Sequence, residues 1–223
     1  MSRPSSRWLR PSLLTSPGPP TVLLAFVLAL AGCEKQDREV TPEEGELVSQ
    51  VAEPAASSLL RTLVGRLTGA MEEGGTLHAV QFCSGEAMPL TRSVEADLAE
   101  GMELKRTSFR YRNPENAPDP AEEMALRHFE NALQEYGEAP SSYVQKVSED
   151  AYRYYQPLFV GEVCLRCHGD PESMDPAVLE ALGERYPQDL ATGYDAGDFR
   201  GVVRVTVPAD LVGDTVTARG TAG

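Results

Sequence analysis

The run Cys164-Leu-Arg-Cys167-His168 carries the most chemistry in this chain. Two thiols three positions apart on one helical turn can reach the two vinyl groups of a single haem and form thioethers. The adjacent His168 then supplies an imidazole to the iron, which is the attachment pattern of c-type haem. A redox disulfide would call for a thioredoxin-like strand-to-helix unit, which the flanking sequence does not suggest. A half zinc site would need a second ligand pair, and only His78 and His128 are left to supply it. The motif occurs once, so one covalent haem is expected. For the other side of the iron the residues alone leave Cys83, His78, His128, Met71, Met88, Met102, Met124 and Met174 open.

Export fits this chemistry, because c-type haem is attached on the outer side of a membrane. Residues 1–32 contain Arg3, Arg7 and Arg10 and no acid, followed by an apolar run from Thr21 to Leu30. That is the layout of a secretory signal, and the run is short for a membrane span. It closes on Leu30-Ala31-Gly32-Cys33, the pattern of a bacterial lipobox. Residues 1–32 are therefore read as a lipoprotein signal peptide, with Cys33 lipidated and anchoring the chain to a membrane through two or more acyl chains. Residues 33–44 are charged and poor in apolar side chains, and read as an acidic tether. Lipidation of Cys33 leaves an odd number of cysteines, which cannot all pair as disulfides in an oxidising compartment.

The chain has 223 residues, 20 Lys and Arg against 34 Asp and Glu, and a net charge of −14. With 41% hydrophobic residues it can bury a core, so wholesale disorder is excluded. Its acidity argues against nucleic acid as a partner, since phosphate neutralisation needs clustered Lys and Arg. Residues 45–223 are of a size for a single domain.

The elements that must position the motif follow from apolar spacing. Leu47, Val51, Ala55, Leu59 and Leu63 recur at helical intervals over 45–72, with Pro54 expected to kink or divide the helix and Glu72-Glu-Gly-Gly75 to end it. Residues 76–82 are ambiguous between strand and helix start, and 84–99 read as a helix stopped by Gly101. Residues 102–112 read as a strand, and the three prolines of 113–120 exclude regular structure there. Residues 121–136 read as a helix with Met124, Phe129 and Leu133 on or near one face. A hairpin is expected over 143–147 and 151–160, a short helix over 176–186, and the clearest strand over 200–208. This is an α+β domain. An antiparallel sheet with helices on one side is compatible with a PAS-like architecture.

Several segments together resemble a known family. Phe82-Cys83-Ser84, then the long run Arg106-Thr-Ser-Phe-Arg-Tyr-Arg-Asn-Pro-Glu-Asn-Ala-Pro-Asp119, Tyr155-Gln-Pro157, the haem motif, and Thr192-Gly-Tyr194 to Gly201 occur in that order. They are similar to the Tll-like haem-domain family of exported single-haem c-type proteins, over about residues 45–210. The resemblance implies a PAS-like fold, which the helix over 45–72 would precede as a long N-terminal helix, with a covalent haem ligated by the motif histidine and an upstream cysteine, here His168 and Cys83. Phe82 departs from the aliphatic residue the family often places before that cysteine. Thiolate ligation stabilises ferric iron, so a low potential is expected.

Arg106, Arg110, Arg112 and Arg200 are candidates for pairing haem propionates, because a guanidinium binds carboxylate bidentately. Tyr152, Tyr154 and Tyr155 either wall the haem pocket or belong to the core. The expected function is electron transfer by a lipid-anchored cytochrome facing the periplasm or cell exterior, with an unidentified redox partner. The alternative is a redox or gas sensor signalling through a partner protein. An enzyme is not expected, since two axial ligands leave iron no open position.

Overall fold

The computed structural model describes residues 39–213. Residues 1–32, read above as a signal peptide, Cys33 and the first half of the expected tether lie outside them. Helix α1 (Pro42–Gly85) begins three residues earlier than its apolar spacing suggests. Thr41 caps it, accepting from the Glu44 N–H at 3.2 Å while Glu44 accepts from the Thr41 N–H at 3.0 Å, and Pro42 takes the first helical position. The helix passes Pro54 with helical dihedrals, because Pro54 and the turn it weakens lie on the exposed side. The break comes at Gly74 and Gly75, where φ at Gly75 is +72°. Residues 76–85 then resume as helix and carry Cys83 at their end. Helix α2 (Ala87–Ala96) follows at once.

Strand β1 (Glu103–Thr107), the hairpin β2 (Tyr143–Ser148) and β3 (Ala151–Phe159), and β4 (Phe199–Pro208) form an antiparallel sheet in the order β1-β4-β3-β2. Leu104 pairs with Val205 on one side of β4, and Tyr154 pairs with it on the other. Alternation along β4 sends Val203, Val205 and Val207 to one face, where they pack with Leu47, Val48, Ala52, Ala56 and Leu59 of α1. Val202 belongs to a second cluster, with Tyr155 and with Ala125, Leu126 and Phe129 of α3 (Pro120–Tyr136). The sheet is thus covered on both faces rather than one. Met124 is 54% exposed, so the buried stripe of α3 is Glu122, Ala125, Leu126 and Phe129. The fold is α+β and PAS-like, an antiparallel sheet with flanking helices preceded by a long N-terminal helix.

The strand expected over 102–112 stops at Thr107. Gly201 sits opposite with φ +137°, and a side chain there would come within 2.8 Å of Ser108 Cβ. The chain turns away at this close approach, so residues 108–112 leave the sheet and deliver Tyr111 and Arg112 to the site. Helix α4 (Leu165–His168) follows the turn Glu162–Cys164, and α5 (Pro176–Arg185) packs Val178 and Leu182 on Val80 of α1. No described helix is long and apolar enough to cross a membrane.

Candidate functional site

The cysteine–histidine motif folds as a turn and one helical turn, and it ends where Gly169 permits a close approach. A Cβ at Gly169 would lie 2.6 Å from the Leu165 carbonyl. Cys83, Cys164 and Cys167 are unpaired and half-buried. Cys167 packs against Val80 and Val178, and Cys164 packs against Val160, Ala191 and Tyr194.

A cavity opens between this motif, the end of α1 and the rim of the sheet. It brings together His168, Cys83, Met88, Arg106, Arg112 and Arg200, with Tyr186 and Leu158 among its apolar lining. His78 and His128 do not line it. His78 is exposed and 3.6 Å from Glu73, and His128 stacks on Tyr143 at 4.1 Å between ring centroids. Of the methionines, Met88 lines the cavity, Met102 and Met174 are buried elsewhere, and Met124 is exposed. Tyr152, Tyr154 and Tyr155 sit in the core clusters rather than the cavity wall.

His168 donates through Nδ1 to the Ala191 carbonyl at 2.6 Å. Because the partner is a carbonyl, Nδ1 carries the proton and Nε2 is left with its lone pair. Burial, reinforced by the charges of Arg112 and Arg200, pushes the His168 pKa down to about 3. The ring is therefore neutral near pH 7, the state in which imidazole binds a metal. Burial raises the Cys83 thiol, with Arg106 and Arg112 partly offsetting it.

The four arginines divide by role. Arg110 is not part of the cavity lining; it donates to the carbonyls of Leu190 at 3.2 Å and of Thr192, and its guanidinium lies 3.9 Å from the Tyr194 ring centroid. Arg112 pairs with Asp189 at 2.9 Å and donates to the Cys167 carbonyl at 2.5 Å. Arg200 donates to the Arg110 carbonyl at 3.0 Å. Arg106 has a buried Nε without a hydrogen-bond partner among the described residues, and its Nη2 rests 3.8 Å from Met88 Sδ. Three guanidiniums thus line a cavity whose described lining holds no carboxylate, in a strongly acidic chain. Burial lowers the pKa of Arg106 and Arg200, the expected effect of desolvated positive charge. The arrangement suits a ligand with anionic arms and a metal that takes imidazole and sulfur.

Tyr186, Asp189 and Ala191 escaped the sequence reading. The role of Ala191 is played by its main-chain carbonyl, which side-chain identity does not reveal.

A PAS-like domain whose cavity joins a motif histidine, a helix-borne thiol and a cluster of arginines defines the class. The chain belongs to the Tll0287-like family, whose model matches residues 34–208. Among solved structures it is similar to a crystal structure of the cyanobacterial heme-protein Tll0287, at 24% identity and a TM-score of 0.51. That match covers 75% of this chain and 96% of the other. Comparison with the curated proteins finds no match.

Proposed function

We propose that this chain is a membrane-anchored c-type cytochrome that transfers electrons at the outer face of a membrane. The observation that carries this reading is the single cavity that gathers His168, Cys83 and three arginines beside Cys164 and Cys167. One haem, joined through thioethers to Cys164 and Cys167, would be held there, and when bound it supplies an iron that cycles between ferric and ferrous states. His168 through Nε2 and Cys83 through Sγ would ligate the iron. Burial keeps the free Cys83 thiol protonated, and a bound metal ion deprotonates a coordinating thiol. Arg106 and Arg200 would answer the propionates, Arg112 adding its charge while it is committed to Asp189 and the Cys167 and Ala191 carbonyls, and the unpartnered Nε of Arg106 is the donor that most lacks an acceptor. The residues present fit the group. The heme protein among its structural relatives supports the same reading.

Thiolate ligation and an acidic surface both favour ferric iron. An anaerobic redox titration of the full chain is expected to give a midpoint well below zero, and a clearly positive midpoint would contradict electron transfer at low potential. The lipobox at Cys33 supports anchoring to the cell envelope, facing the periplasm or cell exterior.

A second reading, a redox or gas sensor acting through a partner protein, draws on one observation. Cys83 rides on 76–85, separated by the Gly74–Gly75 break from the part of α1 that packs on the sheet. Carbon monoxide binding by the reduced protein would favour it.

A further inference from the structure

We propose that Asp189 and Arg112 are positioning residues for His168, acting through the carbonyl of Ala191. This rests on the reading of His168 as an iron ligand. The imidazole is held at Nδ1 by that carbonyl at 2.6 Å, and Ala191 is fully buried. What fixes Ala191 is the Asp189 carboxylate. One oxygen accepts from the Ala191 N–H at 2.8 Å, and the other accepts from Arg112 Nε at 2.9 Å. Arg112 then closes the circuit through Nη2, which reaches the Cys167 carbonyl at 2.5 Å and the Ala191 carbonyl at 3.3 Å. A single guanidinium–carboxylate pair thereby ties residues on both sides of the imidazole, the motif helix and the 189–191 loop.

The pair is nearly enclosed, with side chains 11% and 13% exposed, so its geometry is fixed more firmly than that of a surface ion pair. Lysine could not replace Arg112 in this role, because the three acceptors are met by a planar fork. The acceptor of a ligating histidine's second nitrogen sets the ring's orientation and the basicity of the ligating nitrogen. Holding Ala191 therefore holds the imidazole plane. Two further main-chain bonds, Tyr194 N–H to the His168 carbonyl at 2.9 Å and Gly193 N–H to the Gly169 carbonyl at 2.6 Å, dock the loop on the motif but leave the Ala191 N–H to Asp189 and its carbonyl to Arg112 and His168.

The test uses the full haem-loaded protein and reads ferric electron paramagnetic resonance g-values, which report ligand-plane orientation, beside the midpoint potential. Asp189→Ala removes both carboxylate contacts, Asp189→Asn restores an acceptor for the Ala191 N–H, and Arg112→Lys keeps the charge but loses the fork. Displaced or broadened g-values are expected in Asp189→Ala and Arg112→Lys, with Asp189→Asn closer to wild type. Wild-type g-values in whichever of Asp189→Ala and Arg112→Lys assembles with haem would overturn the proposal. A shifted midpoint with unmoved g-values would overturn it too, by showing an effect of charge alone. A wild-type protein without haem would instead overturn the ligand reading beneath it.

Discussion

His168 reaches the cavity with Nδ1 already committed to a carbonyl, so the residue is prepared as a neutral ligand before any metal arrives. The same burial has a measurable consequence in haem-free protein, such as the Cys164→Ser/Cys167→Ser variant. The unfolded chain protonates His168 near its ordinary pKa of about 6.5, whereas the folded chain holds it neutral down to about 3. Between those values the unfolded state binds more protons, so stability is lost as pH falls below about 6.5. The loss reaches about 2 kcal/mol by pH 5, taking about 1.4 kcal/mol per pH unit. Urea unfolding with and without an added His168→Gln should show the difference narrowing over that window; a constant difference from pH 7 to 5 would contradict it. Cys83 makes the complementary test at the same scale. Replacing it by alanine is expected to remove the thiolate signature from the ferric spectrum and raise the midpoint by on the order of 0.2 V, a fraction of the range axial ligands span. Met88, which lines the same cavity, is then the nearest replacement in kind, and a methionine–histidine spectrum is expected. An unchanged spectrum would make Cys83 a packing residue.

At the scale of elements, α3 is held by a buried charge. Glu122 is fully buried, accepts from the Asp119 N–H at 2.9 Å as one half of a capping box, and pairs with Lys105 at 2.7 Å and Arg204 at 3.2 Å. Glu122→Ala would leave Lys105 without its carboxylate and Arg204 with Glu103 alone, at 2.9 Å, and a loss of about 3 kcal/mol in urea unfolding is expected; a loss under 1 kcal/mol would contradict the network. Helix α3 also shows where sequence was legible. Its span came from periodicity and its proline-rich approach. Apolar type groups Met124 with Phe129 on or near one face, whereas Met124 is exposed and a carboxylate, Glu122, with two cationic partners and a capping bond is buried along with Phe129 instead. The hairpin and β4 were readable from alternation and turn residues. The early end of β1 was not, because it depends on a close approach to Gly201 from a distant segment. Pro54 marked a break that burial on the opposite side prevents, while Gly74 and Gly75 marked the real one. In the site, the motif and Cys83 were visible as residue types. The Ala191 carbonyl, which orients His168, has no side-chain signature.

Across the whole molecule, acid predominates, yet three guanidiniums converge on one cavity beside the motif. Positive charge gathered inward in this way suits an anionic ligand, and under the proposed function the neighbouring thiols of Cys164 and Cys167 would make the bond to that ligand permanent. Under the proposed function, lipidation of Cys33 would hold that centre at a membrane surface. Everything in this reading depends on a covalent haem. The direct test is the pyridine haemochrome spectrum of the exported full chain after denaturation and acid–acetone extraction, with Cys164→Ser/Cys167→Ser beside it. One haem retained per wild-type polypeptide and none in the double variant is the expected result. A wild-type polypeptide stripped of haem by extraction, or never carrying it, would contradict the assignment.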